Sequence, residues 1–104
     1  REYEQNVGSK AKYYETKLWN LRKAATQLYV PPELRPLKDS FIAALNKGIE
    51  RFGYVQQYVS TYSEAYALKA DSAALEFNRL TGLAADEWDE GLARYGIKPA
   101  DVTR

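Results

Sequence analysis

Apolar and aromatic residues recur at Leu37, Phe41, Ala44, Gly48, Phe52, Val55, Val59, Tyr62 and Tyr66, in steps of three and four with no proline between Pro36 and Lys69. That spacing places them on one stripe of a long amphipathic helix, predicted over 36–69. At about 1.5 Å per residue such a helix runs roughly 50 Å, so the rest of the chain is expected to pack along it. The steps through 41, 44, 48, 52 and 55 include two fours in succession, a stutter that straightens the seam. Gly48 lies on the stripe at that point, which fits a close helix approach or a slight bend.

Upstream, Val7, Ala11, Tyr14, Leu18, Leu21, Ala25 and Leu28 alternate in steps of four and three, a heptad seam that predicts a helix over about 3–29 lying at a shallow angle to a partner helix. Pro31, Pro32 and Pro36 end it, because residues before proline avoid the helical region and proline lacks the donor a helix interior needs. A short, stiff connection of this kind favours an antiparallel neighbour. Downstream, Asp71 suits an N-cap, so a turn is expected near 70–72 and a third helix over 72–95, with Ala73, Phe77, Leu80, Ala84, Trp88, Leu92 and Tyr95 inward and a weak point at Thr81-Gly82. Tyr95-Gly96-Ile97-Lys98-Pro99 reads as a left-handed helix stop, leaving 97–104 as a tail. The predicted fold is all-α: one domain over 1–104, an antiparallel three-helix bundle with a long central helix.

Composition narrows the chemistry. The 104 residues include no Cys, His or Met, 28% are charged and 45% hydrophobic, and mean hydropathy is -0.57. Without Cys or His there is no thiolate or imidazole metal site and no Cys- or His-based catalytic centre. No metal or cofactor is expected, and an enzyme is the least favoured class. Arg1 is not a natural start, so the chain is expected to be processed or excised, and no stretch has the roughly 20 apolar residues of a membrane-spanning helix. Net charge is +1, but residues 1–52 carry ten Lys/Arg against six Asp/Glu and residues 53–104 five against eight. That asymmetry is expected to be matched internally between packed helices. The basic flank of the first helix is interrupted by Glu15 and too sparse for a nucleic-acid stripe, so no nucleic-acid partner is expected.

Two groups stand out as candidate sites. Tyr54, Tyr58, Tyr62 and Tyr66 follow at steps of four and form a slowly drifting ridge. Such a row either builds an aromatic core layer, joined by Tyr13 and Tyr14, or presents a protein- or ligand-binding surface. Asp86-Glu87-Trp88-Asp89-Glu90 surrounds a tryptophan with carboxylates; Asp86 and Glu90 stand one turn apart, but the spaced pattern of a calcium loop is missing and a solvated acidic face is expected.

Residues 34–95, opened by Pro31-x-x-Leu34, turned near Asp71 and returned by a helix with spaced Leu and Ala, resemble helical-hairpin modules of uncharacterised bacterial secreted proteins and lipoproteins. The resemblance implies an extracytoplasmic or secreted location and no known activity; the lipidated cysteine of such proteins is missing here. The expected function is a non-enzymatic interaction module that binds a protein partner, or a second copy of itself, through Tyr54, Tyr58, Tyr62, Tyr66 and Trp88. The alternatives are a small-ligand carrier with a pocket lined by Tyr58, Tyr62, Tyr66, Phe77 and Trp88, and a structural subunit contacting its assembly through the heptad face.

Overall fold

The computed structural model describes residues 2–94, with the side chains of 3–87, 89 and 90. Three helices follow in order: α1 (Glu2–Gln27), α2 (Arg35–Thr61) and α3 (Glu64–Arg94). They pack as an all-α three-helix bundle with α2 in the centre. The expected stop at Tyr95-Gly96 and the tail 97–104 lie outside the described residues, as does the Trp88 side chain.

The α1–α2 connection follows from its prolines. Pro32–Leu34 form a single 3-10 turn, Leu34 N–H donates to the Pro31 carbonyl at 2.9 Å, and Pro36 stands in the first turn of α2. Lys38 reaches back to close the joint, its ammonium donating to the Thr26 and Leu28 carbonyls at 3.0 and 2.8 Å. These are carbonyls that the end of α1 leaves without intrahelical partners.

The second connection differs from the expectation. The chain turns at Tyr62-Ser63, not near Asp71, so α2 ends eight residues early and α3, at 31 residues, is longer than the 27-residue central helix. Tyr62 terminates α2 in the left-handed conformation (φ 56°, ψ 21°), its N–H donating to the Tyr58 carbonyl at 2.6 Å. Ser63 precedes the first residue of α3, and Glu64 sets a carboxylate in its positive first turn. Asp71 lies exposed inside α3 and caps nothing, and α3 runs unbroken through Thr81-Gly82.

Cross-helix pairs establish the antiparallel order. Tyr62 bonds Glu4, Tyr14 stacks on Phe52, and Arg22 bonds Asn46, so α1 descends as α2 rises. Tyr54 stacks on Tyr66 and Ser40 bonds Glu87, so α3 runs opposite to α2 as well. Small residues form the seams: Ala11, Ala25, Ala44, Ala70 and Ala73 are buried with Leu45 and Gly48. At Gly48 the three helices come together, since an added Cβ would stand 2.8 Å from Leu18 Cδ1 and 3.4 Å from Phe77 Cε1. Both outer helices pack chiefly on α2, and Leu18 of α1 and Phe77 of α3 converge on it at Gly48. No large side chain described is fully buried. Hydrophobic stabilisation is therefore spread over many half-covered side chains instead of a sealed core.

Candidate functional site

The turn at Tyr62-Ser63 divides the tyrosine ridge. Tyr54 and Tyr58 remain on α2, Tyr62 is in the turn, and Tyr66 lies in the first turns of α3. The antiparallel return nevertheless brings them together. Tyr54 and Tyr66 stack with centroids 6.4 Å apart and 25° between planes, and Tyr58 meets Tyr62 edge-on at 6.3 Å. The Lys69 ammonium stands 5.8 and 5.6 Å from the Tyr54 and Tyr66 rings, within reach of a cation–π contact. Tyr62 is exposed and its hydroxyl donates to a Glu4 carboxylate oxygen at 3.0 Å; Tyr54, Tyr58 and Tyr66 are half-covered. Tyr13 and Tyr14 join a separate aromatic group on the α1 flank, where Tyr14 stacks on Phe52 at 5.6 Å. Trp88 is 22 positions along α3 from Tyr66, so their backbones are about 33 Å apart and do not share one pocket.

An open groove of about 580 Å³ runs between α2 and α3, lined by Tyr54, Ser72 and Leu75 and by the charged groups Lys47, Glu50, Lys69, Glu76 and Arg79. Lys47 bonds Glu50 at 3.0 Å, and the Arg79 guanidinium grips Glu76 with both a 3.0 Å bond from Nε and a second from Nη2. The hydrogen bond from Arg79 lowers the Glu76 pKa from its ordinary range, and the bond to Glu50 raises that of Lys47. Both pairs are solvent-exposed and fix charge more than they store energy. The groove is open and charged, and neither Tyr58, Tyr62, Tyr66 nor Phe77 lines it. Among the described residues no group of three or more Asp or Glu could hold a metal ion. In the acidic run, Glu87 accepts a 2.9 Å hydrogen bond from the Ser40 hydroxyl, while Asp86 and Glu90 are exposed.

The structure adds two surfaces. The heptad seam of α1 splits: Ala11, Leu18 and Ala25 turn to α2, whereas Tyr14, Leu21 and Leu28 remain 48%, 46% and 60% exposed. On α3, Leu68, Leu75 and Leu83 are exposed, and Leu75, at the edge of the groove, is 73% exposed. The seven-residue interval from Leu68 to Leu75 was readable in the sequence, but placing the turn near 71 assigned the two leucines to different helices. No protein-family model, curated protein or solved structure matches the chain.

Proposed function

We propose that this chain is a non-enzymatic helical interaction module that acts by docking its uncovered α1 face on another protein. The observation that carries this reading is the divided seam. One heptad pattern supplies two apolar edges; α2 occupies one and takes one side of the Tyr14 ring through Phe52, while exposed Leu21 lies on the other, continued just past the end of α1 by exposed Leu28. Exposed apolar groups aligned at seven-residue intervals are the signature of a helix awaiting a further helix. The tyrosine cluster is a secondary contact region, since its rings already stack on one another and Tyr62 is the member most open to solvent. The resemblance to secreted helical-hairpin modules makes an extracytoplasmic location part of this proposal, checked by fractionating the source cell. The groove between α2 and α3 is open and charged and is not lined by Tyr58, Tyr62, Tyr66 or Phe77, which speaks against the carrier alternative.

The test is a photo-crosslinking amino acid placed at Leu21 in the source cell, with a control at Gln57, which is exposed on the outer side of α2. A discrete adduct at position 21 and none at 57 is expected. An absence of adducts at 21, or the same adducts at both positions, would sink the reading.

A further inference from the structure

The α2–α3 turn holds no helix breaker. Only Tyr62 and Ser63 separate Thr61, the last residue of α2, from Glu64, the first of α3, and no glycine or proline lies between Gly53 and Gly82. Tyr62 makes the reversal in the left-handed conformation (φ 56°), which suits glycine and disfavours a residue with a Cβ. The apolar stripe nevertheless keeps helical phase through the turn. Val55, Val59, Tyr62, Tyr66, Ala70 and Ala73 follow in steps of four or three, and the 29 residues from Gly48 to Phe77 make eight such steps, about 3.6 each. A reversal makes no such demand, because each helix can turn about its own axis separately; a single helix does, since its buried residues must share one face. The turn also leaves helical bonds unmade. Ser63 N–H donates to the Thr61 hydroxyl oxygen at 3.2 Å and Tyr66 N–H to the Ser63 carbonyl at 3.1 Å, where a continuous helix would give them the Val59 and Tyr62 carbonyls.

We infer that Tyr62-Ser63 is a hinge, and that the chain has a second form in which α2 and α3 join into one helix over 35–94 and two copies exchange their α3 segments. Such a helix is about 90 Å long. It cannot cover its own stripe, so a straightened chain by itself would expose Gly48, Ala70 and Ala73. Two straightened chains lying antiparallel cover both stripes. The contacts of the folded-back form then recur between copies, with Tyr54 of one stacked on Tyr66 of the other and Ser40 of one donating to Glu87 of the other. Each pair is placed nearly evenly about the hinge, as two-fold symmetry requires. The exchange is closed and ends at two copies, while α1 keeps its place on α2 within each chain. Straightening removes the left-handed residue and restores the backbone bonds, which is how a short turn under strain gives way to exchange. At low concentration the folded-back form prevails, because α3 is tethered beside its own α2.

The experiment refolds the chain from urea at low and at high protein concentration and reads mass by light scattering. The distance within one chain is read by pulsed electron spin resonance on Lys47→Cys/Ser72→Cys, spin-labelled at both cysteines and diluted into excess unlabelled wild type, which has no cysteine of its own. Both positions line the α2–α3 groove in the folded-back form, whereas 25 residues of straight helix set them about 38 Å apart. A monomer with the short distance is expected at low concentration, and a dimer with the long distance after refolding at high concentration. Tyr62→Gly should favour the monomer and Tyr62→Ala the dimer, because glycine accepts the left-handed turn and alanine the helix. At about 30-fold per hinge and two hinges per dimer, their dimer dissociation constants should differ by about a thousandfold. Should Tyr62→Ala fail to fold, Ser63→Ala supplies the helix-favouring variant. Wild type and the alanine variant both monomeric at every concentration, a dimer that keeps the short distance, or Tyr62→Gly dimerising as readily as Tyr62→Ala would each overturn the inference.

Discussion

Gly48 and Gly82 both lie inside continuous helices, yet a methyl group added to each meets opposite surroundings. At Gly82 nothing lies within 4 Å, so Gly82→Ala removes the entropic penalty of glycine in a helix interior without disturbing a neighbour. We expect a gain of about 1 kcal/mol, a rise of roughly 5 °C in thermal midpoint. At Gly48 the same atom would displace the Leu18 Cδ1 methyl and touch Phe77, so a larger branched side chain crowds both neighbouring helices. Gly48→Val should therefore cost about 2 kcal/mol by overpacking. Urea melts of the two variants check the pair, and equal shifts in the same direction would show that Gly48 is not the point where the helices close. In the sequence, Gly48 is marked by its place on the apolar stripe. Nothing there reveals that Leu18 and Phe77, 30 residues before it and 29 after it, converge on it.

The two connections differ in how much of them the sequence displays. The α1–α2 joint is legible because proline acts locally, by removing a donor and restricting the residue before it. The α2–α3 turn is made by Tyr62 in a left-handed conformation, where tyrosine is an uncommon occupant and costs roughly 1 kcal/mol relative to glycine. Its nearby signals, Ser63 ahead of Glu64 and Thr61 accepting from the Ser63 N–H at 3.2 Å, were weaker on paper than the run around Asp71. Asp71→Ala distinguishes the two positions. Inside α3 the substitution should be neutral or stabilising by up to about 0.5 kcal/mol, because alanine is the better interior residue. A loss of about 1 kcal/mol would be the signature of a helix cap and would return the turn to Asp71. The tyrosine ridge depends on the same turn. Its four-residue spacing is plain in the sequence, whereas the stacking of Tyr54 on Tyr66 arises only because the chain reverses between them.

For the molecule as a whole, the charged groups with displaced pKa values predict a broad stability plateau. Glu76 is held below its ordinary value of 4.5 by Arg79, so its contribution is complete above 4.5 and is lost as pH falls through the lowered folded value. Lys47, bonded to Glu50, and Lys17, which hydrogen-bonds Tyr13, are raised above 10.5; their contributions are complete below 10.5 and are lost as pH climbs through the raised values. With no histidine in the chain, thermal midpoints should be flat between about pH 5 and pH 10, and Glu76→Gln should soften the acid limb. A step near pH 6 to 7 would contradict this. The bundle measures 52 × 23 × 21 Å, with a radius of gyration of 16.4 Å against about 13 Å for a compact chain of this length. By itself the sequence determined that there are three helices, in antiparallel order around the middle one, because apolar periodicity and proline act over a few residues. Only the tertiary structure decided which half of the α1 seam is covered, which tyrosines meet and where the leucines of α3 are left exposed, because each of these depends on the rotation of one helix against another and on a turn whose position no local pattern dictated.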